Sequence, residues 1–241
     1  MLPRRSHLPI VLMILSILVA GCGSNADIES TETPDISVTD ILAAASTRMA
    51  ETQSLRFSLD IEGETFVDTA GTIQLVAARG DLARPDEVAV DFQVQLFGTG
   101  TVTIKMITIG TSSWTTDLLT GYWNTAPPEF GYNPSILYDN QQGLGPVMGR
   151  LQDPVLLGRE DLNGSEVFRV SGTASQATMG PLTSNTMTGE PVGLELWIDG
   201  ATSDLHRVIV SEPASSGKDE PATWTMNLSN HDEQVSIEPP V

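Results

Sequence analysis

From Leu55 onward, apolar and polar positions take turns along the chain. In "LRFSLDIEG", Leu55, Phe57, Leu59 and Ile61 fall on one side, with Arg56, Ser58, Asp60 and Glu62 on the other. In "EVAVDFQVQLF", Val88, Val90, Phe92, Val94 and Leu96 alternate with Ala89, Asp91, Gln93 and Gln95. A period of two predicts strands with one dry and one wet face. Shorter or weaker versions recur in "GTIQLVA", "TVTIKMITI", "SSWTTDLL", "EVFRVSG", "VGLELWID", "LHRVIVS" and "TWTMNLS", broken by Gly, Asp and Pro. About nine or ten strands, predominantly antiparallel, are expected. Asp199-Gly200 marks the turn of a hairpin joining "VGLELWID" to "LHRVIVS".

Two places depart from this period. In "VTDILAAASTRMAETQ", Val38, Ile41, Leu42, Ala45 and Met49 share one stripe of a helix, with Ser37 as its N-cap and Asp40 completing a capping box. In mid-chain, "YNPSILYDNQQGLGPVMGRLQDP" predicts two short helices. The first has Asn133 as N-cap and Pro134 at its first position; a corner at Gly143, Gly145 and Pro146 follows, and Pro154 closes the insert. The order is therefore helix, strands, helical insert, strands. Three short helices are a thin cover for so large a one-sided sheet. Phe57, Leu59, Phe92, Val94, Leu96, Ile104, Leu194 and Leu196 on the dry faces either fill a closed core or line an incompletely filled hollow. Trp114 and Trp123 either complete that core or form the wall or mouth of a pocket, where rings bridge apolar space and water. Trp197, out of register with Leu194 and Leu196, is expected to pack outside.

Ahead of these elements stands a segment of another kind. "MLPRRSHLPIVLMILSILVAG" has Arg4 and Arg5 followed by an uncharged run from Leu8 to Ala20. At about thirteen residues the run is too short to span a bilayer and the right length for a secretory signal. It ends Leu18-Val19-Ala20-Gly21-Cys22, which looks like the bacterial lipobox, and Cys22 is the single cysteine of the 241 residues. A lone cysteine forms no internal disulfide, so Cys22 is expected to be the lipidated first residue after cleavage. Two or three acyl chains there would anchor the chain stably to the outer face of a bacterial membrane. "GSNADIESTETPD" then reads as a solvated tether reaching roughly 20 Å. The expected organisation is a signal over 1–21, a lipidated tether over 22–36 and one domain over 37–241.

Charge removes several classes of function. The chain carries 12 basic and 31 acidic residues, a net −19, which becomes −21 when Arg4 and Arg5 leave with the signal. Such a surface repels nucleic acid and anionic headgroups, so contact with the membrane is expected through the anchor alone. Catalytic patterns are weak as well. "GTSSW" lacks the closing glycine of a nucleophile elbow, and "SSGKD" matches a phosphate loop only in Gly217-Lys218. His206 and His231 are the only histidines after the signal and lie on separate segments, and the carboxylates form no calcium loop. No enzyme activity, metal or cofactor is expected. Apolar residues on the dry faces are mostly aliphatic, and aromatics make up 5% of the chain, a lining better suited to acyl chains than to a ring cofactor.

Taken in order, Cys22, the acidic tether, "ILAAASTRMAETQSLRFSLDIEG", "SSWTTDLLTGYWN", "PSILYDNQQGLGPVMGRL", "LLGREDLNGSEVFRVSG" and "GLELWIDGATSDLHRVIV" resemble the LppX/LprAFG family of mycobacterial lipoproteins. The resemblance spans almost the whole chain after the signal. It implies an α+β fold in which a strongly curved antiparallel half-barrel has helices on its concave side and encloses an apolar cavity. It further implies acylated lipids or glycolipids as cargo, carried or presented to the outer envelope by a monomer. On this reading the eight dry-face residues, with Trp114 and Trp123, line the cavity. The alternative on the same fold is an envelope interaction protein or lipoprotein chaperone without lipid transport.

Overall fold

The structure is a computed structural model describing residues 36–67, 70–126 and 134–241. Cys22, the signal, the tether up to Asp35 and Asn133 lie outside the described residues. Chain order is α1 (Val38–Glu51), β1 (Ser54–Glu62), β2 (Ile73–Ala83), β3 (Glu87–Leu96), β4 (Thr101–Ile109), β5 (Ser112–Thr116) and β6 (Trp123–Thr125). A 3-10 helix (Pro134–Tyr138) and α2 (Leu144–Gly149) follow, then β7 (Gln152–Leu162), β8 (Ser165–Ala174), α3 (Gln176–Thr183), β9 (Val192–Asp199), β10 (Leu205–Ser211) and β11 (Thr223–Ser229). All eleven strands form one antiparallel sheet in the order β6-β5-β4-β3-β2-β1-β11-β10-β9-β8-β7. It is open and curled, with few helices.

Alternation explains most of this. On β1, Leu55, Phe57 and Leu59 are buried while Arg56 and Asp60 are exposed. Helix α1 starts where Ser37 Oγ accepts from the amides of Thr39 (3.2 Å) and Asp40 (3.4 Å). Its stripe of Ile41, Leu42, Ala45 and Met49 is buried in the same cluster as the inner face of the sheet. Each large side chain buried this way contributes about 1.5–3 kcal/mol.

Three elements depart from the sequence-based expectation. β7 runs through Pro154, which was expected to close the insert, and through Gly158. Pro154 is tolerated because β7 is an edge strand, where a missing N–H breaks no ladder bond on the free side, and Gly158 takes φ 146° at an irregularity in the ladder to β8. β2 continues through Arg79-Gly80-Asp81, a tripeptide with the look of a turn. Helix α3 forms in "QATMGPLT", whose Ser175 side chain caps Thr178 N at 3.2 Å despite an internal Pro181.

Two polar clusters fix the helices and loops. Arg84 donates to the carbonyls of Thr52 (2.7 Å), Met49 (3.2 Å) and Tyr138 (2.8 Å), joining the end of α1 to the 3-10 helix. Its guanidinium lies 4.6 Å from the centre of the Tyr138 ring. The Tyr138 hydroxyl donates to Ala83 O at 2.7 Å, and burial pushes its pKa up to about 12. Lys218, of the "SSGKD" segment, pairs at 2.8 Å with the fully buried Glu212 carboxylate and donates to the carbonyls of Glu64 and Thr186, both at 2.9 Å. That lysine ties three loops together.

Candidate functional site: two faces of one sheet

Residues directly opposite each other on antiparallel strands point to the same face, so register assigns every strand position. On the inner face, Ile104 stands opposite Phe92, Phe92 opposite Ala78, and Ala78 opposite Leu59. The row continues from Leu59 through Met226 and Val208 to Leu196. Four of the sequence-predicted lining residues thus fall in one line across the sheet. Phe57 lies one row away, opposite Gly80 and Leu228. Val94 and Leu96 pair with Leu75 and Ile73, and Leu194 pairs with Val210. Seven of the eight are between 1% and 8% exposed, and Leu96 is half-buried against the same cluster.

Trp114 and Trp123 correct the expectation. Trp114 pairs with Ile107, which pairs with Ala89; Trp123 pairs with Thr116, in line with Lys105. Both tryptophans are therefore on the outer face, opposite to Phe92 and Ile104. The reason is an inversion of chemistry on β4 and β5. Here Thr108, Ser113 and Thr115 point inward, with Thr108 and Ser113 hydroxyls bonded at 2.9 Å. Size alone assigns tryptophan to the dry side, and a hydrogen-bonded hydroxyl pair occupies it instead. Trp197 is on the outer face as expected. Its Nε1 donates to Glu160, and the Arg169 and Arg207 guanidiniums lie 5.1 and 5.6 Å from its ring centre.

Each of the three helices, or the turn after it, buries a methionine in the cluster it shares with the inner face. Met49 on α1, Met148 on α2, Met179 on α3 and Met187 just beyond it are all 1–3% exposed, and Met106 and Met226 join them from the sheet. Methionine is unbranched and polarizable and fills irregular space readily. Between α1 and α2 the backbones come close. Ser46 Oγ donates to Gly145 O at 2.8 Å, and a Cβ on Gly145 would stand 3.1 Å from Ser46 O. Sequence reasoning missed the methionines, although six of the eight in the chain follow the signal.

One end of the sheet carries exposed apolar side chains. Phe66 and Val67 in the β1–β2 loop, Phe97 in the β3–β4 turn, and Leu119 and Tyr122 in the β5–β6 loop are all exposed, Leu119 by 93%. These three connections lie at the same end of the meander, and the Phe97 amide donates to Thr72 O at 2.9 Å. At the other end, the residues after β11 latch down α1. Arg48 binds Asp204 (2.8 Å) and Asp232 (2.6 Å), and the Gln53 amide donates to Asp232 at 2.6 Å. Burial works against the Asp232 charge, yet the Gln53 amide and Arg48 hold its pKa below the usual carboxylate value. His206 and His231, distant in sequence, meet here with ring centres 5.9 Å apart. Burial, reinforced by His206 and Arg48, lowers the pKa of His231. His206 Nε2 lies 3.3 Å from Asp199 Oδ2. Among the described residues no group of His, Cys, Asp and Glu is arranged to hold a metal.

Comparison with known proteins agrees with this architecture. LprF from Mycobacterium bovis superposes with a TM-score of 0.67 at 21% identity, over 84% of this chain and 96% of that one. LppX from Mycobacterium tuberculosis gives 0.57 at 14% identity, over 83% and 98%. In sequence, the lipoarabinomannan carrier protein LprG of Mycolicibacterium smegmatis is 26% identical over 95% of this chain and 93% of its own length. LprF of Mycobacterium tuberculosis, provisionally named a diacylated glycolipid transporter, is 35% identical over 32% of this chain and 30% of its own. The family description "LppX_LprAFG lipoprotein" matches residues 37–237. A match over that much of the chain, on a fold shared with LprF and LppX, makes this protein a member of the LppX_LprAFG lipoprotein family, and so a protein of the cell envelope.

Proposed function

We propose that this protein holds the acyl chains of a lipid or glycolipid between the inner face of its sheet and its helical cover, and carries or presents that cargo to the outer envelope. The methionine seam is the observation that carries the reading. Met49, Met148, Met179 and Met187 are buried in one cluster with the inner face of the sheet, and such unbranched side chains can repack around flexible chains without losing a jigsaw fit. The apolar row from Ile104 to Leu196 supplies a wall of hydrocarbon side chains, as acyl chains need. Support also comes from the names of two relatives, one a lipoarabinomannan carrier protein and the other provisionally a diacylated glycolipid transporter.

Cys22, lipidated, anchors the domain to the outer face of the membrane through the 22–36 tether, and the domain acts there as a monomer. The apolar loop tips at Phe66, Phe97 and Leu119 form the end through which a chain passes. The protein works by binding and not by catalysis. The test is organic extraction and mass spectrometry of the lipoprotein purified from its own envelope. Cargo near one molecule per protein is the expected result. A lipid-free protein that captures another lipoprotein would overturn the carrier reading in favour of a chaperone. For the anchor, Cys22→Ser should abolish palmitate labelling and leave unprocessed precursor; labelling at the wild-type level would remove the anchor.

A further inference from the structure

The outer face of the sheet, opposite the proposed lipid space, holds a cavity of about 590 Å³ extending across β11, β1, β2, β3 and β4. Its size falls within the range of about 300–1,000 Å³ typical of ligand sites. Two cross-strand rows build it. In one, Lys105 stands opposite Asp91, Asp91 opposite Arg79, Arg79 opposite Ser58, and Ser58 opposite Asn227. In the other, Ile107, Ala89, Asp81 and Arg56 follow each other. Trp123, on the three-residue edge strand β6, forms one wall.

Its charges are balanced locally. Arg56 makes two bonds to Asp81, at 2.8 and 3.1 Å; Arg79 pairs with Asp60 at 3.0 Å; Lys105 approaches Asp91 to 3.4 Å. Each cation has a carboxylate beside it, so a polyanion gains little here. What the trough offers instead is a dense array of planar groups that both donate and accept, over an apolar floor of Ala89 and Ile107. Asn227 is oriented for this task. Its Oδ1 accepts from Arg207 Nε at 2.7 Å, which leaves Nδ2 to donate. With Trp123 at one end, the ion-paired rows in the middle and the Asn227 amide at the other end, the trough offers successive sugar units an indole for their apolar C–H faces and donors and acceptors for their hydroxyls.

We propose that this trough is a saccharide-binding site that holds the glycan portion of the cargo on the outer face. Rows this polar do not admit acyl chains, so the two parts of a glycolipid are held on opposite sides of one sheet. The glycan passes round the β6 margin of the sheet, where Trp123 stands. The proposal rests on the carrier reading for its biological source and on the trough alone for its chemistry.

The experiment titrates the mature lipoprotein with acyl-free mannotetraose and arabinotetraose, following tryptophan fluorescence and heat, and measures bound lipid in parallel. Saturable binding is expected, weakened at least about tenfold by Trp123→Ala and by Asp91→Asn, while lipid content per protein is unchanged. Asp91→Asn keeps its shape on an exposed strand position, so it remains informative if Trp123→Ala fails to fold. Two results overturn the trough: no binding of either sugar, or binding that both variants leave intact. If inorganic phosphate binds in a salt-dependent manner and the neutral sugars do not, the site is an anion site and the proposal is wrong. Sugar binding by a protein that never contains lipid would sink the carrier reading and leave the trough standing.

Discussion

Phe92 and Asp91 are neighbours on β3 and look into different worlds. Phe92 is 7% exposed in an apolar row that shares one buried cluster with the helices, whereas Asp91 lies in a row of ion pairs open to water. The inner row is held by area and shape, which are non-directional and allow the layer to be repacked. The outer row is held by pairs such as Arg79–Asp60 and Lys105–Asp91, both about half exposed, which add at most about 1 kcal/mol each but fix orientation strand by strand. A carrier needs both properties: a face that changes its contents and a face that keeps the strands in register while it does so.

The bluntest way to break the comparison is to put the same charge on each face. Ala78→Lys buries an ammonium between Phe92 and Leu59 and is expected to cost at least about 3 kcal/mol. Ala89→Lys, on the outer face beside Asp81 and Asp91, should change stability by less than about 0.5 kcal/mol. Chemical denaturation of both variants measures the difference, and equal losses would mean the faces are misassigned.

Next in size is loss of cargo. Val94→Trp, Leu96→Trp and Ile104→Trp each place a ring where an acyl chain would lie. Displacing four methylenes at about 0.8 kcal/mol each weakens binding by roughly two orders of magnitude. At least one of the three should melt near wild type and copurify with far less lipid. If all three melt early with lipid per folded molecule unchanged, these positions are closed core only.

Smaller effects sharpen the contrast. Replacing Met148, Met179 and Met187 together by Leu keeps volume and should cost less than about 1.5 kcal/mol per site. The seam stiffens, so the range of chain lengths found in the bound lipid should narrow; an unchanged distribution would separate seam adaptability from cargo choice. The smallest effect is on pH. His231 has its pKa lowered by burial, so protonation favours the unfolded chain. Its contribution to stability is complete above the ordinary histidine value of about 6.5 and is lost as pH falls below it. Melting temperature should therefore drop between pH 7.5 and 5, and drop less in His231→Gln. An equal drop in both would assign the effect elsewhere in the latch.

How much of this was legible in the sequence follows from the range of each signal. Ser37 and the α1 stripe were, because a cap and its helix are neighbours along the chain. β1 and β3 were, because alternation states which side is dry. β7 was not: Pro154 and Gly158 interrupt the period, and only its place at the edge makes them harmless. Helix α3 was hidden by Gly180 and Pro181. The inner row was foreseen as a set of residues, but its alignment from Ile104 to Leu196 depends on register between strands far apart in sequence. For the same reason nothing along the chain announced that Asn227, Arg79 and Trp123 share one trough. Trp114 and Trp123 went to the wrong face because runs as short as "SSWTT" and "WNT" carry no reliable phase.

Among the described residues the sheet ends in two margins, β6 and β7, and a sheet margin is a template on which another copy could add a strand. At one margin β6 offers only three residues. At the other, β7 presents Val155 and Leu157 about half exposed, a sequence prone to sticking. Its ladder to β8 is broken twice, between Gln152 and Val155 and between Leu156 and Gly158, with Asp153 at φ 47° and Pro154 lacking an N–H. An incoming strand would find neither a straight partner nor a continuous row of donors. The irregularities that obscured β7 in the sequence thus guard against fibre growth, and let the sheet keep this margin uncovered without joining another copy edge to edge.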